Sequence, residues 1–416
     1  MPSEPRAIDA QETTKSRWLS IIGMGADGIA SLSPHACDLI RQAELVVGGA
    51  RHLNLASALL TGETLAWPSP LRGGLPMIVA RRGQPVVVLA SGDPFFFGVG
   101  SLLSQHIPAA EFICLPAPSS VALATARLGW AQQTTEIVSL HGRPLENIIP
   151  FLQPRARILA LSWDETTPDK LASLLMARGF GDSRFHILEN LGGPRERIRS
   201  TTAGELSLTD IDALNIIALE VTADAQAHIL PRVSGLADHL FEHDGQLTKR
   251  EIRAVTLSAL APRAGEILWD IGLGAGSIAI EWLLAHPSCR AIGIERDKTR
   301  AERARRNAVS LGVPRLEVIE GAAPAALSGL PVPDAIFIGG GATTPGVFEA
   351  AWAALKSGGR LVVNAITLET EALLIQWQSA YGGDMTRIAI SRAQPVGTMQ
   401  GWQSAMPVTQ WSTVKP

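Results

Sequence analysis

Short apolar runs alternate with longer amphipathic segments along most of the chain. The runs at residues 44–49, 85–94 and 111–116 are rich in Val, Ile and Leu, which is typical of strands that are buried on both faces of a sheet. Apolar residues recur with helical spacing at residues 34–43, before the first of these runs, and at residues 97–106, between the second and the third. The first part of the chain is therefore predicted to be an α/β structure with parallel strands.

A second set of alternating elements follows the Pro-rich segment at residues 116–118. Its predicted strands lie at residues 135–140, 157–162, 184–191 and 215–221, and its predicted helices lie at residues 119–128, 145–152 and 169–178. Because the segment at 116–118 has the composition of a linker, we expect two lobes with a cleft between them. Clefts of this kind are common ligand sites.

A third set begins at residue 247. A strand leads into a glycine-rich turn and a helix at residues 266–277. The other predicted strands lie at residues 290–295, 316–320, 334–338, 360–365, 385–391 and 405–411, and the predicted helices lie at residues 249–260, 299–311, 347–355 and 369–381. Together they predict a seven-stranded doubly wound sheet. The last two strands are the candidates for antiparallel pairing.

The predicted domains are a disordered tail at residues 1–16, a first α/β domain at 17–222, a linker at 223–246 and a second α/β domain at 247–416. The linker loses the apolar periodicity and contains His228, His239 and His243. The spacing of the last two histidines permits a metal site, but a solvated helix face is the preferred interpretation.

The composition is that of a globular protein with more than one core. The chain has 416 residues, of which 46% are hydrophobic and 18% are charged, and this length predicts two or three domains. A net charge of −3 without a long Lys/Arg block argues against a nucleic-acid partner. Cys37, Cys114 and Cys289 are too scattered for a disulfide framework or a zinc site. We expect a cytoplasmic protein with no metal, signal peptide or membrane-spanning segment.

The glycine-rich turn carries the first chemical signal. Asp270 follows a buried strand, and Gly272, Gly274 and Gly276 allow the backbone to approach a ligand where a Cβ would clash. Glu295 ends the next predicted strand and should emerge beside this turn, where an acid can accept hydrogen bonds from a ribose diol. The alternative is a strand–helix corner that needs glycine only for packing. With both signals present, adenosine binding is the favoured prediction.

The spacing Asp-x-Gly-x-Gly-x-Gly resembles that of the class I S-adenosylmethionine (SAM) methyltransferases. The dinucleotide fingerprint has a different glycine spacing and no required acid ahead of it, so a nicotinamide-dependent reductase is the minority alternative.

Both halves also resemble known families at the level of motifs. Residues 17–222 resemble the tetrapyrrole methylases, and closely the C5 methyltransferase branch of the cobalamin pathway. The motifs that carry this likeness lie at residues 23–28, 46–52, 90–95, 118–120, 140–143 and 188–193. Residues 246–395 are similar to the C15 methyltransferase and decarboxylase of that pathway, through motifs at 247–253, 270–277, 293–295, 320–324 and 338–341.

Together, the two resemblances imply a bifunctional corrin-pathway enzyme. The second alternative is a non-catalytic tetrapyrrole carrier, which would bind the same macrocycle without turnover. The enzyme would use one SAM per domain to methylate a precorrin at C5 and C15, and it would remove CO₂ from the ring C acetate, giving precorrin-8X from precorrin-6B. The tendency of the C15 family to tetramerise implies a homo-oligomer formed through the second domain. Two departures stand out: Ala26 replaces a frequent Pro, and Ala322 replaces a frequent Asp near the adenine.

For the first domain, the resemblance implies a cofactor folded between the lobes. The matching positions are Gly92, Asp93, Ser119, Ser120, Trp163 and Leu191. His141 and Arg143 would face the cleft and orient the substrate. The open alternatives are a helix N-cap for Asp93 and an ordinary surface turn for the His141–Arg143 segment.

For the second domain, the resemblance places the cofactor at Thr248, Asp270, Gly272, Leu273, Gly274, Ala275, Gly276, Glu295, Ala322 and Ala323. Thr248 also matches a capping box with Glu251, and both roles stay open. Gly339, Gly340 and Gly341 would let a flat macrocycle approach the methyl group, the alternative being a chain-reversal loop. Arg253 and Arg392 are candidates for binding the substrate carboxylates.

Overall fold

The computed structural model describes residues 17–416, so the tail predicted at residues 1–16 lies outside the described part of the chain. Within it, residues 17–143 and 154–227 form one compact unit, and residues 144–153 and 228–416 form a second. The predicted linker at 223–246 is thus divided between the units. None of the helices in residues 17–416 combines the length and the apolar character needed to cross a membrane.

The first lobe of the first unit is a five-stranded parallel sheet with the strand order β3-β2-β4-β1-β5. Its strands are β1 Leu19–Met24, β2 Leu45–Gly48, β3 Glu63–Ala66, β4 Val86–Ser91 and β5 Phe112–Leu115, and its helices are α1 Pro34–Gln42, α2 Ala50–Leu55, α3 Leu75–Val79 and α4 Val99–Leu103. Apolar clusters cover both faces of this sheet. The predicted parallel α/β structure is confirmed, with β3 as an additional polar edge strand.

The second lobe is a mixed sheet with the strand order β6-β7-β10-β8-β9. Its strands are β6 Thr135–Ser139, β7 Arg157–Leu161, β8 Arg184–Glu189, β9 Arg197–Thr202 and β10 Asn215–Glu220, with helices α5 Ser120–Leu128 and α6 Thr167–Ala177. Only β6 and β7 pair in parallel. Strand β9 has no apolar pattern that would predict it, because Arg197 and Arg199 of this strand bind the buried Glu189 carboxylate instead.

The second unit contains the predicted seven-stranded sheet, in the order β13-β12-β11-β14-β15-β19-β16. Its strands are β11 Ile267–Ile271, β12 Arg290–Glu295, β13 Glu317–Glu320, β14 Ala335–Ile338, β15 Arg360–Ala365, β16 Asp384–Ile388 and β19 Val408–Val414, and a separate hairpin is formed by β17 Ser391–Val396 and β18 Met399–Ser404. The helices are α7 Arg250–Leu260, α8 Ser277–Ala285, α9 Lys298–Ser310, α10 Val347–Ala354 and α11 Leu368–Tyr381. Antiparallel pairing of β16 and β19 is confirmed.

Two predictions of regular helix were wrong. Residues 145–152 form a 3₁₀ helix, Leu145–Phe151, and belong to the second unit, where Pro150 packs closely on Gly312. In the predicted linker, a short 3₁₀ turn at Asp238–Leu240 stands in place of a helix. His239 and His243 therefore do not share a helix face.

A buried ion pair fixes the segment at residues 235–248, which we call the strap. The Glu281 carboxylate of α8 accepts hydrogen bonds from the backbone amides of Gly235 and Leu236 and from Arg253 Nε. The Arg253 guanidinium also donates to the carbonyls of Leu236 and Thr248. Arg253 is completely buried, so its predicted role in binding substrate carboxylates is wrong: it holds the strap on α7 and α8.

Replacing Arg253 with Met should lower the free energy of unfolding by about 3–5 kcal/mol, because the Glu281 carboxylate would remain buried without its charged partner. Urea unfolding followed by tryptophan fluorescence measures this loss. The matched control is Arg290→Met, which breaks an ion pair with Glu317 whose side chains are 49% and 53% exposed. That variant should lose less than about 1 kcal/mol, and equal losses in the two variants would contradict a structural role for Arg253.

Candidate active sites

In the second unit, the carboxyl ends of neighbouring parallel strands bring most of the predicted residues together. The turn after β11 lies beside the end of β12, where the Gly274 amide donates to Glu295 Oε2 at 2.8 Å. The Gly321 amide after β13 donates to the Glu295 carbonyl at 2.9 Å. After β14, the backbone of Gly340 abuts Gly272. The motifs therefore converge on one edge of the sheet.

The three glycines of the turn have different reasons to be glycine. A Cβ on Gly272 would lie 2.7 Å from the Gly340 nitrogen, and one on Gly276 would lie 3.2 Å from Ala304 Cβ of α9. Both positions thus fit the packing alternative. Gly274 has a φ of +57°, and a Cβ there would approach no atom closer than the Gly272 oxygen at 4.0 Å. Gly274 is therefore the position of the turn that leaves room for a ligand.

Two buried carboxyl groups hold the turn in place. Asp270 Oδ2 accepts a hydrogen bond of 3.1 Å from the Ala279 amide in the first turn of α8, whereas its Oδ1 is buried without a hydrogen-bond partner in the described part of the chain. Glu295 is also buried, and it accepts from the amides of Gly274 and Asp297. Burial, and secondarily the Glu295 charge, raise the pKa of Asp270 to about 8. Asp270 is thus a partly unsatisfied acid below the turn.

The strap runs beside the same turn because α9 binds both. Asn307 donates from Nδ2 to the Ala275 carbonyl and to the Glu242 carbonyl, each at 2.9 Å, and accepts from the Glu242 amide. Arg303 and Arg300 pair with Asp244, which holds the pKa of that carboxyl well below its usual range. The sequence analysis did not single out Asn307, because its partners are backbone groups far away in the chain.

Thr248 ends the strap, but it does not cap α7. The N-cap of that helix is Lys249, without a side-chain hydrogen bond, so the capping-box alternative was wrong. The side chains of Leu273 and Ala275 are buried, which leaves their backbone for contact with a ligand. Ala322 is exposed next to Glu295, whereas Ala323 packs against the core.

The remaining candidates of the second unit are Arg392 and the triple-glycine loop. Arg392 lies on β17 and pairs with Glu251 of α7. In the loop, Gly339 packs on the Phe337 ring, Gly340 faces Gly272, and Gly341 has a φ of +78°. The loop therefore combines close packing against the turn with one backbone conformation that favours glycine.

In the first unit, the Gly92 loop lies where β4 meets the linker between the lobes. The Gly92 amide donates to the Met24 carbonyl, and the Ala117 amide donates to the Gly92 carbonyl, each at 3.1 Å. Ser119 caps α5 by accepting from the Ala122 amide, and Ser120 begins that helix. These two hydrogen bonds hold the strand and the linker together. Gly92 has a φ of +54°, and a Cβ there would lie 3.0 Å from the Pro118 carbonyl oxygen, so the position favours glycine.

Asp93 caps a turn instead of a helix. Its Oδ1 accepts from the Phe95 amide at 2.9 Å, while α4 begins only at Val99. The helix-cap alternative for Asp93 was therefore wrong. The turn presents Phe97, a non-glycine residue with a φ of +53°. Such a conformation is strained for a bulky residue, and no residue pattern in the sequence indicates it.

On the second lobe, His141, Arg143 and Trp163 follow the parallel strands β6 and β7. The His141 and Trp163 ring centroids are 6.4 Å apart, and His141 Nδ1 lies 3.3 Å from the Ser162 carbonyl oxygen. The Arg143 guanidinium lies 5.4 Å from the Phe97 ring centroid of the first lobe. Leu191 is buried in the core of the second lobe, so only its backbone can contact a ligand. The cleft is thus lined by exposed aromatic and cationic groups.

Comparison with known proteins matches a different family model to each half of the chain. Residues 19–207 match the family model described as Tetrapyrrole (Corrin/Porphyrin) Methylases, and residues 239–415 match the one described as Precorrin methyltransferase domain. One solved structure, the C-terminal domain of precorrin-6Y C5,15-methyltransferase from Rhodobacter capsulatus, is 46% identical, with a TM-score of 0.43, and the match covers 45% of this chain and 100% of that one.

Two curated relatives match nearly the whole chain. The precorrin-6Y C(5,15)-methyltransferase [decarboxylating] of a Sinorhizobium species is 58% identical over 96% of this chain and 97% of its own length. The protein of the same name from Mycobacterium tuberculosis (strain CDC 1551 / Oshkosh) is 40% identical over 95% of this chain and 99% of its own length. The chain therefore belongs to the family of precorrin-6Y C(5,15)-methyltransferases (decarboxylating).

Proposed function

We propose that the chain carries out both methylations and the decarboxylation for which its family is named, with precorrin-6B as the substrate and precorrin-8X as the product in cobalamin biosynthesis. The first unit methylates C5, and the second unit methylates C15 and removes the carboxyl group of the ring C acetate. The juxtaposition of Asp270, Gly274 and Glu295 at one sheet edge carries this proposal. Family membership favours methyl transfer over the two alternatives, a nicotinamide-dependent reductase and a non-catalytic carrier.

The second unit fits a methyl donor at the turn after β11. Gly274 leaves open space above its backbone, and the unpaired Asp270 oxygen becomes a negatively charged partner when the carboxyl ionises beside a cationic ligand. Each Glu295 oxygen accepts one backbone amide, so each keeps a lone pair for a ribose hydroxyl. Ala322 and Ala323 lie next to Glu295, where the adenine belongs, and Thr248 approaches from the strap. When bound, SAM supplies an electrophilic methyl group.

The first unit fits a second donor between its lobes. Gly92 and Asp93 form one wall, and Ser119 and Ser120 form the start of α5. Trp163 and the Leu191 backbone form the opposite wall of the site, on the second lobe. His141 and Arg143 then orient the macrocycle, and the Arg143–Phe97 stack provides a flat surface for it. The chain thus holds one donor site in each unit.

Methyl transfer to carbon needs alignment more than it needs a strong base. Fixing donor and acceptor in a reactive geometry can supply up to roughly 7–11 kcal/mol of the barrier. Gly339, Gly340 and Gly341 have no side chains, so a flat ring can approach the donor from their side. In the decarboxylation, the bond between the acetate methylene and its carboxylate breaks. CO₂ leaves, the electron pair of the bond passes into the ring system, and the methylene carbon then takes up one proton from the medium to become a methyl group. Surroundings with little water around the carboxylate favour the loss of CO₂.

We further propose a cytoplasmic homo-oligomer, a tetramer formed through the second unit. The support for assembly is the β17–β18 hairpin, which carries Val396, Met399 and Trp402 at 65%, 75% and 79% exposure. Large exposed apolar side chains clustered on one short element are typical of protein interfaces. The hairpin is therefore the surface that we expect a second copy to cover.

Glu295→Ala should remove C15 methylation and spare C5 methylation. The change removes both the ribose acceptor and the anchor of the Gly274 amide, while the first unit is unaltered. Mass spectrometry of the product from precorrin-6B and SAM measures the outcome: the wild type adds two methyl groups and loses CO₂, and the variant adds one methyl group.

The control for this variant is Glu317→Ala, on the neighbouring strand β13. Glu317 is half exposed and pairs with Arg290 on the surface, so this variant should give the wild-type product. An unchanged C15 product from Glu295→Ala would refute the assignment of the ribose site.

Donor binding to the second unit should release a proton near neutral pH. The Asp270 carboxyl, with a pKa of about 8, is protonated at pH 7 without ligand, and a neighbouring cation favours its ionised form. Affinity should therefore rise as the pH increases towards 8, by at most about tenfold per pH unit, and level off above it. Calorimetry with SAM, whose sulfonium supplies the cation, in buffers of different ionisation enthalpy counts the protons released on binding.

Asp270→Asn is the matched variant for this experiment, because the amide oxygen can still accept from Ala279. It should bind with less proton release and a flatter pH profile than the wild type. The same proton count in both proteins would show that Asp270 does not titrate on binding.

A further inference from the structure

A polar cluster lies at the carboxyl ends of β2 and β4, outside the residues assigned above. His52 Nε2 is 2.9 Å from Ser91 Oγ, and Arg51 Nη2 is 3.1 Å from His52 Nε2 and 3.4 Å from Ser91 Oγ. Arg51 and His52 belong to α2, and Ser91 directly precedes Gly92 and Asp93. The cluster therefore adjoins the loop that we assign to the donor of the first unit.

The charges in this cluster follow from its geometry. A guanidinium can only donate hydrogen bonds, so the contact with Arg51 makes His52 Nε2 an acceptor and places the ring hydrogen on Nδ1. Burial, and then the Arg51 charge, lower the pKa of His52 to about 4, so the imidazole is neutral at pH 7. Its Nδ1 is buried without a hydrogen-bond partner in the described part of the chain. The His52 ring is thus an uncharged hydrogen-bond acceptor for Arg51 and Ser91.

The cluster consequently carries one uncompensated positive charge. No carboxylate of residues 17–416 lies within ion-pair distance of Arg51, whereas Arg127 and Arg197 of the same unit bind Glu196 and Glu189. Arg51 is exposed to solvent, and the partial burial of its guanidinium in this cluster lowers its pKa. A partly desolvated cation gains most from a hydrogen-bonded anion, and its other N–H groups remain available.

We propose that the free N–H groups of Arg51 form a carboxylate-binding subsite beside the Gly92 loop, with the neutral His52 and the Ser91 hydroxyl, which donates to His52 Nε2, as the residues that position the guanidinium. This inference rests on the proposed function of the first unit. Two sources can supply the carboxylate: an acetate or propionate side chain of the macrocycle, or the amino-acid end of the methyl donor. The planar guanidinium, whose Nε and Nη1 hydrogens are not used in this cluster, suits the two oxygens of either group.

Two binding titrations of the full chain distinguish these sources without turnover. One measures S-adenosylhomocysteine by calorimetry, and the other measures precorrin-6B by its absorbance in the absence of a donor. Arg51→Met should weaken one of the two ligands by about ten- to hundredfold, the range of a charged hydrogen bond. Weaker binding of precorrin-6B identifies a macrocycle carboxylate, and weaker binding of S-adenosylhomocysteine to the first unit identifies the donor.

The control variant is Arg72→Met, which removes the same charge from an exposed position and should change neither affinity. His52→Leu should weaken the same ligand as Arg51→Met, and His52→Gln should restore most of the affinity, because its amide can still contact Arg51 and Ser91. If Arg51→Met changes both affinities by less than about twofold, the subsite is refuted. A wild type that binds both ligands normally but forms no C5-methylated product would instead refute the proposed function.

Discussion

The geometry of the second unit depends on two buried carboxyl groups at the ends of adjacent strands. Asp270 receives an amide of α8, and Glu295 receives amides from Gly274 and Asp297. These contacts fix the turn that joins β11 to α8, so its open space is a fixed feature of the fold. Because burying an acid without full compensation is unfavourable, the unpaired Asp270 oxygen is best explained by a cationic ligand.

The surroundings of the turn are fixed by similar means. Gly272 and Gly340 touch through their backbones, and Asn307 connects the turn to the strap through carbonyl groups. The Arg253–Glu281 pair anchors both ends of the strap, at Leu236 and at Thr248. A long irregular segment thereby becomes part of a rigid site. In the first unit, the comparable task falls to the Gly92 loop, which binds both β1 and the linker between the lobes.

The sequence predicted the elements whose signal is local. Strands buried on both faces, and the spacing from Asp270 to Glu295, can be recognised from neighbouring residues alone. Strand β9 was not predicted, because its arginines are paired with the Glu189 carboxylate of the neighbouring strand, and this pairing is not visible in the local sequence. Arg253 was misassigned for the same reason: its partner lies on another helix, and nothing near it in the sequence reveals burial. The proposed Arg51 subsite likewise depends on Ser91, forty residues away.

The central claim is that one chain holds two methyl-donor sites, one in each α/β unit. Calorimetric titration with S-adenosylhomocysteine tests it most directly, in the wild type and in Gly274→Ala, whose new methyl group would project into the open space of the second unit without touching the protein. We expect two binding sites for S-adenosylhomocysteine in the wild type and one in the variant. A single site in the wild type, or two undisturbed sites in the variant, would contradict it.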